Sequence, residues 1–356
     1  MRQCIGGPQA GQLKIALDAT YSTGDNLTGV GTYCREILWG LPALDPDSRF
    51  LFCYRPHRFT RSYSSFLPRR CRRALLFDSL PYPADLFHGL NQRLPRARYR
   101  RTVSTFHDLF VLTGDYSTPE FRERFARQAR DAASRSDLII AVSRFTAGHV
   151  EELLGIDRSR LRVIHHGVHL PTQNDPFRKK TRNIVLHVGS IQKRKNIVRL
   201  VKAFERMEPD WHLVLAGSTG FGAEEILREI EPSPRRANIH LPGYVGSKQL
   251  EGLYRAASML AFPSLDEGFG LPILEAMAWG VPVVTSNRSA LPEAAGDAAI
   301  QVNPEDVDEL AFAMRTLAEN QGLGKSLITA GLARAAEFSW RKAVEATWSV
   351  YKELNH

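Results

Sequence analysis

The densest chemistry in the sequence lies in Pro263-Ser-Leu-Asp-Glu-Gly-Phe-Gly-Leu-Pro-Ile-Leu-Glu275. Two carboxylates, Glu267 and Glu275, stand eight residues apart and straddle a turn, Gly268-Phe269-Gly270, that leads into Leu271. A glycine-rich turn between a strand and a helix exposes backbone N–H groups at a helix N-terminus, where an anion such as a phosphate is favoured. Glu267, in the loop, is placed to meet a polyhydroxyl group or a developing positive charge. Glu275, farther along the helix, can accept hydrogen bonds from a ribose diol. The same spacing also suits a capping carboxylate followed by one on a solvated face, and spacing alone does not choose between the two.

Other residues add to this pattern. Gln192-Lys-Arg-Lys-Asn196 puts Arg194 and Lys195 at a helix start, where a charge run taken alone reads as a solvated face, although a fixed cation would favour departure of an anionic leaving group. Gly29-Val-Gly31 opens a helix after a short apolar run and permits close backbone approach, but as a dinucleotide fingerprint it lacks its third glycine. His107, followed by Asp108, ends a strand-like segment. Ser143 and Thr146 suit the cap of the following helix. No His, Cys, Asp or Glu cluster has metal-ligand spacing. Paired carboxylates also serve double-displacement glycosidases, where they flank the bond at about 5–5.5 Å. Here a lysine and a glycine-rich helix start read instead as a phosphate site.

These residues must be held by alternating strands and helices. The second half runs through six short apolar segments, from Ile184–Ser190 to Ala299–Val302, which alternate with helical patterns except for the loop after Pro282–Ser286. Nearly continuous apolar strands between helices predict a parallel sheet buried on both faces, a doubly wound α/β domain. The first half repeats the rhythm from Leu13–Ala19 to the segment around Leu161–Val168. The polar stretch Thr172–Asn183 is the best linker. The expected division is therefore 1–175, 176–340, and a last helix at about 341–356 that packs back onto the first domain. Two such domains put a cleft between the carboxyl ends of two sheets, where ligands of open α/β sheets bind.

The segment Leu241–Pro304 resembles the donor domain of family 4 glycosyltransferases, whose hallmark Glu-x7-Glu is matched by Glu267 and Glu275. His187-Val-Gly-Ser-Ile-Gln-Lys-Arg-Lys-Asn196, Ala216-Gly217 and Pro242-Gly-Tyr-Val245 follow the same pattern, which covers nearly all of the C-terminal half. The N-terminal match is thinner: Thr28-Gly-Val-Gly-Thr-Tyr33, Phe106-His-Asp108, Ala141-Val-Ser-Arg-Phe-Thr146 and Ile164-His-His-Gly-Val168. The likeness is greatest to mannosyl- and rhamnosyltransferases of bacterial polysaccharide assembly. It implies the GT-B fold, two Rossmann-like domains facing across a cleft, and transfer from a nucleotide-diphosphate sugar to a hydroxyl with retained configuration. It further implies catalytic roles for Glu267, His107 and Lys195. The donor site would comprise Gly29, Gly31, Ser190, Arg194, Lys195, Gly217, Tyr244, Val245, Gly268, Phe269, Gly270, Leu271 and Glu275. No cofactor or metal is expected. The sequence departs from the family at Ser190, where an arginine is common, and at His165 and His166, which stand in place of Pro-Asn. GDP-mannose is the leading donor, with UDP- or dTDP-sugars as alternatives.

Composition bounds the rest. The chain has 356 residues, 43% hydrophobic and 24% charged, a globular balance. Its 47 Lys and Arg against 38 Asp and Glu leave a net charge of +9, which favours an anionic partner. The excess is local, with twelve arginines against two acids between Arg55 and Arg101. One reading docks this region on anionic lipid headgroups near a lipid-linked glycan; the other is a solvated arginine-rich surface. A nucleic-acid-binding protein would interleave aromatics with its arginines or carry a known module, and neither stands out. The four cysteines form no C-x-x-C pair, residues 1–12 lack the apolar run of a signal peptide, and no stretch is long enough to span a bilayer. A reduced, cytoplasmic protein with at most a peripheral contact on the inner face of the membrane is expected.

Overall fold

A computed structural model describes residues 12–24, 27, 29–171 and 183–355. Thr28, Cys4, the N-terminal segment and all of the expected linker except Asn183 lie outside the described residues. The first sheet has seven strands: β1 (Lys14–Asp18), β2 (Arg49–Tyr54), β3 (Cys71–Leu75), β4 (Leu86–Gly89), β5 (Thr102–Phe106), β6 (Leu138–Ala141) and β7 (Leu161–Val163). The second has six: β8 (Ile184–Val188), β9 (His212–Ala216), β10 (Ile239–Gly243), β11 (Met259–Phe262), β12 (Val283–Ser286) and β13 (Ile300–Val302). All pairings between these strands are parallel.

The strand orders are β3-β2-β1-β4-β5-β6-β7 and β10-β9-β8-β11-β12-β13. Both contain the doubly wound Rossmann order, with the chain reversing direction beside the first strand of each unit. The apolar runs are buried on both faces: Leu86–Gly89, Thr102–Phe106, Leu138–Ala141 and Met259–Phe262 are buried at every position. Parallel strands require this, because their crossover helices cover both sides.

Local chemistry sets the helix ends. Thr118 caps the helix Pro119–Arg135 by accepting from the Phe121 amide, and Asp306 caps Val307–Glu319 by accepting from the Asp308 and Glu309 amides. The last helix, Trp340–Asn355, lies against Gly29–Leu44, where a Cβ on Gly40 would stand 2.4 Å from Val344. Its Trp340, Val344 and Tyr351 join the core of the seven-stranded sheet. The Tyr351 hydroxyl also meets His88 Nδ1 at 2.5 Å. No helix among the described residues is long and apolar enough to cross a membrane.

Candidate active site

The site forms where the carboxyl ends of β8 and β11 turn toward the seven-stranded sheet. After β8 the chain passes through Gly189 and a short 3-10 turn, Lys193–Lys195. The turn splits the charge run. Lys193 faces solvent and pairs with Glu225 at 2.9 Å, while Arg194 and Lys195 point inward. Lys195 is 6% exposed, its Nζ 2.5 Å from Glu267 Oε1 and over the Phe262 ring. Arg194 Nη1 lies 2.7 Å from Glu267 Oε2 and donates to the Asp266 carbonyl, with its guanidinium stacked on Phe110. Each oxygen of Glu267 thus holds one cation.

Electrostatics follow from this packing. Burial alone would raise the Glu267 pKa, but Arg194 and Lys195 outweigh it and bring it down to about 2. Burial lowers Lys195 to about 8, against the raising effect of Glu267. Asp108, half-buried across the cleft, is pushed up to about 6, chiefly by burial and against the pull of Arg194. The cluster is therefore ionised at neutral pH, and Lys195 spends one of its three N–H donors on Glu267. Beyond Glu267 the chain reaches Gly270, at φ +108°, and starts the helix Leu271–Ala278. Glu275 lies on that helix, half-buried, and accepts from the Tyr254 hydroxyl at 2.7 Å.

The facing half closes directly on this loop. A Cβ on Gly268 would sit 1.7 Å from the His107 carbonyl oxygen, so only glycine allows the approach. The Gly268 carbonyl accepts from Ser143 Oγ at 2.7 Å and Thr146 Oγ1 at 3.1 Å. Ser143 Oγ also caps its own helix, Arg144–Leu154. Glu293 reaches across to the N-terminus of that helix, accepting from the Arg144 amide at 2.8 Å and from His165 Nε2 at 2.6 Å. Thr113 donates to Asp266 Oδ2 at 2.6 Å. His107 meets the loop through its backbone. Its ring is buried against Tyr33 and His166, with Nε2 on the Leu90 carbonyl and Nδ1 without a partner among the described residues. Burial lowers His107 to about 4, so it is neutral at pH 7.

The expected residues divide accordingly. Glu267, Lys195, Arg194, Gly268 and the backbone of His107 come together, with Phe269, Gly270 and Leu271 continuing the same loop. Gly217 packs where its Cβ would meet the Gly189 carbonyl at 2.0 Å, beside Ser190. Tyr244 is partly exposed and Val245 buried just past β10. Gly29 and Gly31 lie within the first turn of the helix Gly29–Leu44, which the segment opens as expected. Gly29 faces Leu271 across the cleft, whereas Gly31 packs on Leu27 and the Tyr21 carbonyl, a close-packing reason for that glycine. His166 packs between Tyr33, Phe269 and Trp340, and His165 stacks on Phe269. Sequence reading missed Tyr254, Glu293 and Phe110. Their partners lie 21, 149 and 84 positions away, beyond the reach of any local motif.

Two doubly wound sheets closing on a lysine, an arginine and a glutamate beside a helix start define a GT-B enzyme. Residues 171–334 match the family model described as glycosyl transferases group 1, and residues 43–171 match glycosyltransferase family 4. The O-antigen chain mannosyltransferase B of Escherichia coli is 30% identical over 318 residues, covering 85% of this chain and 82% of that protein. The chain belongs to the family 4 glycosyltransferases and is an enzyme that transfers a hexose. The serotype-specific mannosyltransferase WbdA of Escherichia coli is 30% identical over 261 residues, but this chain spans only 32% of its length. Sucrose-phosphate synthase from Thermosynechococcus elongatus superposes with a TM-score of 0.79 over 96% of this chain and 99% of that one, at 21% identity, and so shares the fold.

Proposed function

We propose that this enzyme moves mannose from GDP-mannose to a hydroxyl of a glycan or lipid-linked saccharide, with retention of anomeric configuration. The observation that carries the sugar assignment is the 30% identity to O-antigen chain mannosyltransferase B across most of both chains. In this reading Lys195 and the start of the helix Leu271–Ala278 receive the diphosphate, where a fixed positive potential stabilises the departing charge. Glu267 faces the donor sugar once the phosphates engage its cations, and Glu275 accepts from the ribose. The bond from the anomeric carbon to the phosphate oxygen breaks and the bond to the acceptor oxygen forms on the same face. The acceptor proton passes to the released phosphate. Lys195 and the helix start supply the positive charge, and no metal enters the proposal.

A second reading rests on the D-inositol 3-phosphate glycosyltransferase of Mycolicibacterium smegmatis, 28% identical over 272 residues. It keeps UDP- or dTDP-linked glucose or rhamnose as alternative donors. The acceptor half also carries Tyr63, Phe66, Phe77 and Leu80 exposed among its arginines, which supports peripheral docking on an anionic membrane at its cytoplasmic face. Vesicles containing phosphatidylglycerol should co-sediment the enzyme at low salt, and equal sedimentation with neutral vesicles would remove the docking. The donor is tested by supplying labelled GDP-mannose, UDP-glucose and dTDP-rhamnose with lipid-linked saccharides, in EDTA, and assigning the new linkage by NMR. Transfer of α-mannose in EDTA is expected. A β-linkage would overturn retention, and transfer only from UDP-glucose or dTDP-rhamnose would select the second reading.

A further inference from the structure

Glu275 is held from behind by a residue no motif connects to it. Tyr254 lies near the end of the helix Ser247–Ala256, is 2% exposed, and gives its hydroxyl hydrogen to Glu275 Oε2 at 2.7 Å. Tyr254 engages only one of the two carboxylate oxygens, and Glu275 is half-buried. A glutamate has three rotatable side-chain bonds, so a carboxylate meant to accept from two ribose hydroxyls loses conformational entropy on binding unless something fixes it beforehand. A phenol held rigid in the core does this at the cost of one carboxylate lone pair. Burial also keeps the phenol protonated, since it drives the Tyr254 pKa well above its ordinary value, so the tyrosine donates and the glutamate accepts. His169 of the facing half acts on Glu275 only through its charge, its ring being bonded to Glu36 at 2.8 Å, whereas Tyr254 bonds the carboxylate directly.

We infer that Tyr254 is a positioning residue for donor recognition: its hydroxyl fixes Glu275 so that the other carboxylate oxygen meets the ribose of the nucleotide. The inference rests on the reading of Glu275 as the ribose acceptor and deepens it. It makes the enzyme selective for ribo- over deoxyribonucleotides through a residue that never touches the ligand.

The test is calorimetric titration of the full chain with GDP, 2′-deoxy-GDP and 3′-deoxy-GDP. Wild type, Tyr254→Phe and Glu275→Ala are compared, with UDP and its deoxy forms run in parallel. Tyr254→Phe keeps the ring and its packing. It should bind the ribonucleotide about tenfold more weakly, the effect of losing one hydrogen bond to a charged group, while the deoxynucleotides bind as in wild type. The ribo-to-deoxy ratio should collapse toward that of Glu275→Ala. That ratio is internal to each variant, so a general loss of stability leaves it unmoved. A wild-type ratio in Tyr254→Phe together with a collapsed ratio in Glu275→Ala would overturn the positioning role alone. A wild-type ratio in Glu275→Ala would overturn the ribose reading beneath it.

Discussion

The two halves present unlike faces to the same cleft. The six-stranded half supplies ionised groups locked together: Glu267 between Arg194 and Lys195, each contact within 2.7 Å. The seven-stranded half supplies buried aromatic rings, Tyr33, His107 and His166, whose two imidazoles burial holds neutral. A charged face suits a substrate whose charge changes during reaction, because fixed ions stabilise the diphosphate as it leaves. A tightly packed aromatic face, on which Asp108 is the charged group turned toward the cluster, suits a hydroxyl acceptor, which needs orientation more than charge. The two meet through backbone and caps: Gly268 against His107, Ser143 and Thr146, and Glu293 on the helix Arg144–Leu154.

The comparison is broken most sharply by removing the charge. Glu267→Gln keeps the shape but leaves two buried cations without a counter-charge. Turnover should fall about 100-fold or more, with a smaller fall for His107→Gln. A larger loss in the histidine variant, in the same steady-state assay, would reverse the division of labour. Gly268→Ala separates the faces instead. Its Cβ cannot share space with the His107 carbonyl, so kcat should fall about 100-fold from misplacement while GDP affinity stays within about twofold. Lost GDP binding would mean that the donor face depends on the contact.

The pH response sharpens the electrostatic side. Lys195, lowered to about 8, loses its charge as pH rises through that value, and Asp108, raised to about 6, gains a negative charge as pH rises through its own. Both changes disfavour an anionic ligand, so GDP-mannose affinity should weaken in two steps, near pH 6 and near pH 8. Asp108→Asn should erase the first step and Lys195→Arg the second. Flat affinity from pH 5 to 9 would contradict this. The smallest effect belongs to Glu293. Its pKa is lowered because the bonds from His165 and the Arg144 amide outweigh burial, so its stabilisation is present at neutral pH and lost as pH falls through the carboxylate range. Glu293→Gln should cost about 1–2 kcal/mol at pH 7, read from urea melts, and little at pH 3.

What was legible in the sequence follows the same division. The strands could be read because a parallel strand buried on both faces is a continuous apolar run, as in Leu138–Ala141 and Met259–Phe262. Glu267 and the glycine turn stood out because one loop carries them, but their functional reading needed the resemblance. Lys195 needed the resemblance, since Lys193 beside it is as exposed as the bland reading of the run requires. Gly29-Val-Gly31 was legible as the start of a helix, which begins at the first glycine. Ser143 was legible as a cap, whereas Thr146 lies inside the helix and supplies the amide that Ser143 accepts; their shared partner, the Gly268 carbonyl, comes from the other half of the chain and leaves no local trace. Tyr254 reads as an ordinary buried aromatic until the fold brings Glu275 to its hydroxyl.

The most direct test of the charged face is a thermal-shift series with GDP, UDP, dTDP and ADP on wild type and Lys195→Ala, since a ligand bound only by the native state raises Tm by mass action. GDP should give the largest shift, and Lys195→Ala should lose it. An undiminished shift in Lys195→Ala would show that the diphosphate is held elsewhere and would contradict the assignment of the site.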